Sequence, residues 1–341
     1  MRLPRTGASP RATIMTSPPL LSIGLFVYNG EPFLRETLDS LLSQTFRDFE
    51  LIISDNASTD DTQRICETYA ASDSRIRYYR SEKNMGAGWN IRRVFSLATG
   101  KYFKWAACDD LYDPAFLSSC IAALERDNTF VVAHARTRVI DEHGTFLENY
   151  DWPMDADSPN PITRFREMLL NDHMCYQIFG VMRREALLRI PPQGSYVNSD
   201  GMLLAQLSFL GRFYEDPGFL FTSRRHSRQS SQTLPVRLKK RRFRLTNRYG
   251  TLPSPEWWDP QKTRSVEFPE WRQLREYYGS IMRAPISERE RNRCLLLLAP
   301  WIVKHFRRMM KDLLMAADQV LYNFQMSRVS DAECKEARKN A

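Results

Sequence analysis

None of the six cysteines stands in a C-x-x-C pair. Cys66, Cys108, Cys120, Cys175, Cys294 and Cys334 are scattered, which argues against a zinc site or a redox dithiol. In a chain of this length they read as reduced, buried thiols of a cytosolic protein. Long apolar runs are also missing. The longest, residues 294–303, is too short to span a bilayer and carries Pro300. Residues 1–18 have no apolar core for export. With Arg2, Arg5 and Arg11 set among prolines and serines, they read as a disordered leader. The dinucleotide-binding fingerprint is absent too: in Asn84-Met85-Gly86-Ala87-Gly88-Trp89-Asn90, Ile91 follows where the third glycine is needed. No internal repeat is present.

The 341 residues are 43% hydrophobic, enough for one large domain and an appendage. A net charge of +9 favours anionic partners such as a sugar nucleotide or an acidic membrane surface. Basic charge alone does not point to nucleic acid, and none is expected as a partner.

From Leu20 the chain alternates strand-like and helix-like segments. Leu21–Val27 suits a buried strand, and Pro32 falls near the first turn of a helix in which Phe33, Leu34, Leu38, Leu41 and Leu42 recur at helical spacing. A second strand ends at Asp55, and a helix over 62–71 follows. Residues 76–80 resemble a third strand, 89–97 a third helix, and a fourth strand runs into Asp109. This order predicts a mostly parallel sheet with helices on both faces. Beyond it, residues 130–134 and 137–140 could pair as antiparallel strands around a turn. Segments 165–170 and 200–210 read as helices. A basic block from Arg237 to Arg248 precedes an aromatic stretch through Trp257, Trp258 and Trp271, and helices are expected from Glu288 onward. The apolar Leu295–Leu298 suggests burial.

Four stations carry chemistry. Tyr28, at the end of the first strand and followed by Glu31, can stack on a base. Asp55 can accept from a uracil or guanine ring N–H, although Ser54–Asp60 also reads as a capping turn. The glycines before the third helix let backbone approach a ligand. Asp109 and Asp110 repel each other unless a cation sits beside them, and Mg2+ or Mn2+ suits such oxygens.

Together and in this order, S-I-G-L-F-V-Y-N-G-E, S-D-N-A-S-T-D-D-T, the N-x-G-x-x-x-N element and A-C-D-D-L-Y-D-P resemble the family 2 glycosyltransferases of the GT-A fold. The resemblance covers roughly Leu20 to Leu234. It implies a nucleotide-binding α/β domain over 19–235 and a basic, helical extension over 236–341. By resemblance, Val27, Tyr28, Glu31, Asp55, Asn84, Gly86 and Asn90 would serve the nucleotide donor, a UDP-sugar above others. Asp109 would bind ribose or diphosphate, and Asp110 and His226 the metal. Many relatives carry a further acid where this chain has Ala107, which leaves the metal to lean mainly on Asp110. Asp200, in Tyr196-Val197-Asn198-Ser199-Asp200-Gly201, would be the catalytic base of an inverting transfer, with Ser199 replacing a glutamate. In the closing Arg224-Arg225-His226 segment, Arg225 would offset leaving-group charge. His134, His143, His173 and His305 are expected to be structural, and Cys108 a packing residue.

The acceptor would be a glycan or lipid-linked hydroxyl in cell-envelope polysaccharide synthesis, at the inner face of the membrane. The alternative to membrane contact is that the C-terminal helices pack back on the catalytic domain or on a second subunit, as a homodimer. Two rival functions stand beside transfer: an inactive GT-A-fold binding or scaffold protein, and a nucleotidyltransferase.

Overall fold

A computed structural model describes residues 18–150, 154–229, 255–262 and 268–339. The expected leader, Pro18 excepted, and the basic block Arg237–Arg248 lie outside the described residues. Strand β1 (Leu21–Val27) leads through helix α1 (Glu31–Leu42) to β2 (Phe49–Asp55). Then come α2 (Thr62–Ser72), β3 (Ile76–Arg80), α3 (Ala87–Ser96) and β4 (Tyr102–Ala106). β1 pairs in parallel with β2 on one side and with β4 on the other, and β3 lies outside β2. The chain thus winds outward from β1 and then jumps back across it. That reversal leaves a crevice at the carboxyl end of β1, where open α/β sheets bind ligands.

Side-chain alternation divides the core between the two faces of the sheet. Phe49, Leu51 and Ile53 of β2 join Leu21, Ile23 and Leu25 of β1 in one cluster, which α1, α2 and α4 (Phe116–Arg126) cover. Ile52, Phe103 and Trp105 point the other way, with Phe103 and Trp105 meeting edge to face at 4.7 Å. The second cluster extends through α5 (Pro161–Leu170) and α7 (Ser199–Leu210). It continues into α9 (Pro269–Arg283), α10 (Glu288–Leu296) and α11 (Leu298–Lys339).

The remaining strands extend the sheet from β4. Strands β8 (Val181–Arg183), β6 (Phe130–Ile140), β9 (Arg212–Arg224) and β5 (Leu111–Tyr112) follow in that order, and β7 (Phe146–Tyr150) pairs with β6. The short α6 (Arg184–Leu188) follows β8, and α8 (Pro255–Trp258) precedes α9.

Three sequence expectations are corrected. Residues 130–140 form one strand, not a hairpin. Ala135-Arg136 offers no turn residue, and the register shift there is an irregularity against β9, which takes the pairing in parallel. Helix α9 lies where only an aromatic stretch was read. Its apolar face, with Tyr277 and Ile281 buried, is spaced at four residues. The Leu295–Leu298 run is not uniformly buried: Leu298 is, but Leu296 is 73% exposed. One helix ends and another begins there, so the four leucines turn toward different surroundings.

Candidate active site

The carboxyl ends of β1, β2 and β4 converge on a cavity of about 480 Å³. Val27, Tyr28, Asn84, Asn90, Asp109, Asp110, Asp200, Arg225 and His226 all line it. These residues span two hundred positions of sequence, and the switch in strand order brings them together.

The β1–α1 loop is held by the loop after β2. Ser58 Oγ accepts from the Asn29 N–H at 2.9 Å, and Thr62 Oγ1 accepts from the Gly30 N–H at 2.9 Å. In return, Asn29 Oδ1 accepts from the Thr59 N–H at 2.8 Å. Tyr28 is left 47% exposed, its ring free to carry a stacked ligand. Asn90, in α3, donates from Nδ2 to the Val27 and Ser54 carbonyls at 3.2 and 2.9 Å. It ties the ends of β1 and β2 at a depth where unpaired carbonyls would be costly.

Three expected donor-site residues do not line this cavity. Asp55 is wholly buried. Its Oδ1 accepts from the Ser58 N–H at 2.8 Å, while Oδ2 accepts from Tyr78 Oη at 2.9 Å and pairs with Arg80 Nε at 3.2 Å. The carboxylate organises the loop behind Tyr28. Glu31 is exposed and turns to the Asp61 N–H at 3.4 Å. Gly86 has φ of +84°, and a Cβ there would stand 2.5 Å from the Trp258 carbonyl oxygen. The close approach it permits is to α8, and α8 delivers Glu256 and Trp257 to the cavity wall.

Asp109 and Asp110 follow the end of β4 and face different partners. Asp109 Oδ2 lies 2.8 Å from His226 Nε2, and the His226 ring sits 4.6 Å from that of Phe33. Asp110 is only 3% exposed, and its Oδ1 accepts from the Arg224 N–H at 3.1 Å. Burial, and next the adjacent Asp109 charge, push the Asp110 carboxyl well above the ordinary carboxylate range. His226 is therefore paired with Asp109 rather than with Asp110, which was the expected metal partner. Among the described residues no group of three or more His, Cys, Asp or Glu is arranged to hold a metal ion. Asp109 and His226 supply one oxygen and one nitrogen donor at the cavity. That set fits a cation such as Mg2+ or Mn2+ that keeps several waters and phosphate oxygens.

Two residues at this site were missed from the sequence. Arg224, 2% exposed, donates from Nε to the Asp109 carbonyl at 3.2 Å and from Nη2 to Glu36 at 2.6 Å. Its guanidinium covers the Phe33 ring at 4.7 Å, so it fixes the aspartate pair against α1. The R-x-H spacing, which makes Arg224 rather than Arg225 the arginine ahead of His226, was the available signal. Arg225 lies closer to solvent and pairs with Glu148 at 2.6 Å. Lys104, the other omission, is fully buried beneath the pair. Its Nζ donates to the Trp105 carbonyl at 3.0 Å and lies 3.8 Å from the Tyr112 ring centroid. Burial pulls its pKa down to about 7. A desolvated cation–π contact is worth about 2 kcal/mol or somewhat more, against several kcal/mol of ion desolvation, so burial wins.

Asp200 occupies the first turn of α7, after Asn198 in the left-handed region at φ 65°. It is not the helix cap. Asn198 stands at that position, and its Nδ2 donates to Gln273 of α9 at 3.0 Å. Asp200 Oδ1 accepts from the Gly201 N–H at 2.9 Å. Burial pushes its carboxyl above the ordinary aspartate value, against the lowering by that N–H.

Residues 22–190 match the family model for glycosyl transferase family 2. The Escherichia coli chondroitin synthase is 33% identical over 137 residues, 40% of this chain and 20% of that protein. An uncharacterized glycosyltransferase of Rickettsia typhi, RT0329, is 35% identical over 128 residues, 37% of this chain and 39% of that protein. The chain spans well under two thirds of the length of these curated relatives. Among solved structures, S. aureus TarS 1-349 in complex with UDP superposes with a TM-score of 0.56 at 18% identity, covering 84% of this chain and 72% of that one. Its complex with UDP-GlcNAc gives 0.57 at 17% identity, with the same coverage. Such likeness at low identity establishes the fold, a GT-A-type mixed sheet with flanking helices. With the motifs, the cleft and the family match in agreement, residues 22–190 form a glycosyl transferase family 2 domain.

Proposed function

We propose that this protein is an inverting glycosyltransferase that moves a sugar from a nucleoside diphosphate donor, a UDP-sugar above others, to an acceptor hydroxyl. The observation that carries the reading is the shared cavity of Asp200, Asp109 and His226 at the switch point of the sheet. TarS, of the same fold, takes UDP and UDP-GlcNAc, which supports a uridine donor.

In this reading Tyr28 stacks on the base, while Asn84 and Asn90 shape the pocket beside it. Asp55 acts one layer back, by fixing the 55–62 loop. Asp200 accepts the proton of the acceptor hydroxyl as that oxygen attacks the anomeric carbon from the face opposite the leaving group. An aspartate near pKa 3.9 is a weak base, and the upward push from burial moves Asp200 toward the working range. Asp109 and His226 would hold a divalent cation, whose positive charge would offset the charge on the departing diphosphate. Arg225, on the cavity wall and paired with Glu148, would help to offset leaving-group charge.

The catalytic unit is residues 19–235, with the helices beyond as an extension. The acceptor belongs to polysaccharide synthesis, and the protein works in the cytoplasm against the inner membrane face. Exposed Val303 (78%) and Leu314 (66%) of α11 are consistent with such contact. Incubation with a panel of sugar nucleotides, with and without Mg2+ or Mn2+, tests the reading. Cation-dependent release of nucleoside diphosphate is expected. Donor binding with no turnover across acceptors would favour the scaffold alternative, and pyrophosphate release from a nucleoside triphosphate would favour nucleotidyl transfer.

A further inference from the structure

A second cavity, of about 430 Å³, is lined in part by the loop that leads into α7, whose first turn carries Asp200. Tyr196 and Val197 of that loop form one wall, and Phe268, Trp271, Arg272 and Arg275 of the α9 region form the other. Val197 and Asp200 are three residues apart, which keeps their Cα atoms within about 11 Å. One end of the loop therefore lines the proposed catalytic cavity while the other lines this one.

The lining is specific in chemistry. Trp271 is 40% exposed, yet its Nε1 donates to the Met309 carbonyl at 3.0 Å, so the indole is a fixed platform. Phe268 is 39% exposed beside it. The Arg272 guanidinium lies 4.2 Å from the Tyr196 ring centroid, and its Nε is buried with no hydrogen-bond partner. No carboxylate stands within ion-pair distance of Arg272 among the described residues. Among the described residues Arg275 pairs with Glu276 alone, at 3.4 Å and with its own side chain 76% exposed, a weak contact in water. Rigid aromatic faces next to Arg272, which has no ion-pair partner among the described residues, and a weakly paired Arg275 are the combination that anchors an anion carried on a flat apolar body.

We propose that this cavity is an acceptor subsite for an anionic unit of the growing glycan, a sugar ring that bears a carboxylate or a phosphate. The ring lies against Trp271, the anion faces Arg272 and Arg275, and the chain continues past Val197 toward Asp200. The proposal rests on the glycosyltransferase reading. Its chemistry deepens that reading, because it makes the acceptor an acidic polymer.

Calorimetric titration of the full chain tests it with four probes: a uronic acid hexasaccharide, a sugar-phosphate oligomer, a neutral hexasaccharide and UDP. The two anionic probes separate carboxylate from phosphate as the preferred charge, and at least one is expected to bind tenfold or more tighter than the neutral chain. R272Q and R275Q should each weaken that probe at least fivefold, and W271A should weaken it likewise, with UDP affinity unchanged throughout. R275Q sits at an exposed position and keeps the test valid where R272Q disturbs the packing on Tyr196. Equal affinity for neutral and anionic chains, or anionic binding unchanged in R275Q and W271A, would overturn the proposal. Arginine-dependent anion binding in a protein that ignores UDP would uphold the subsite and refute the donor reading instead.

Discussion

Lys104 shows how a single buried charge shapes this site. Its unfolded pKa lies near 10.5 and its folded value near 7, so between those values the unfolded chain binds more protons. Stability must then rise with pH across that window and fall as pH drops toward 7. Lys104→Met removes the cost of burying the amine. Thermal unfolding should show a gain on the order of 1–4 kcal/mol at pH 7 that shrinks by pH 10. A pH-independent gain would mean that the ammonium is compensated where it sits. The aspartate pair makes a second residue-scale prediction. Asp109→Asn should raise the cation concentration required for transfer by about 10–100-fold, because Asp109 faces His226. Asp110→Asn should change it much less, since the Asp110 carboxyl is buried, accepts from the Arg224 N–H and does not pair with His226. Cation titrations of the two variants compare them directly, and the reverse order would return the metal to Asp110.

Individual side chains were unevenly legible in the sequence. Residues named by motif, such as Tyr28, Asp109, Asp200 and His226, do converge, because motif spacing reflects positions at strand ends. Which of two adjacent acids meets His226 was not legible. That choice depends on where β9 returns, more than a hundred residues later, with its Arg224 N–H aimed at Asp110.

Among the elements, the alternating half from β1 to β4 follows directly from apolar runs, turn residues and helix starts. The second half reads less well for a physical reason. β6 is flanked by three strands, so its residues answer to cross-strand neighbours rather than to a local turn. Gly86 illustrates the same limit. Its sequence suggested a ligand-facing backbone, whereas the bare backbone is covered by the Trp258 carbonyl. Gly86→Ala should therefore cost about 1–3 kcal/mol through the positive φ and the close approach. It should also weaken donor affinity, because α8 carries Trp257 to the cavity. Chemical denaturation and donor titration of the variant check both effects, and an unchanged stability would contradict the packing described here.

For the molecule as a whole, the C-terminal helices complete the core of the cleft. Tyr277, Ile281, Cys294, Leu298 and Trp301 belong to the same apolar cluster as Ile52 and Phe103 beneath the sheet. Trp301, 1% exposed, stacks on His305 at 4.2 Å, and His305 in turn contacts Glu270 at 2.7 Å. Trp301→Ala should cost about 3–5 kcal/mol and lower the stability of the entire unit, read as one cooperative transition in calorimetry. Two separate transitions would mean that the helices unfold on their own. No helix among the described residues is long and apolar enough to cross a membrane.

The central claim is that Asp200 takes the acceptor proton in the cleft that binds the donor. Asp200→Asn keeps the shape of the side chain and removes its basicity. With donor affinity measured by calorimetry and transfer by nucleoside diphosphate release, the variant should bind the sugar nucleotide within about twofold of the parent and lose at least about 100-fold in rate. Transfer at the parental rate would contradict the assignment.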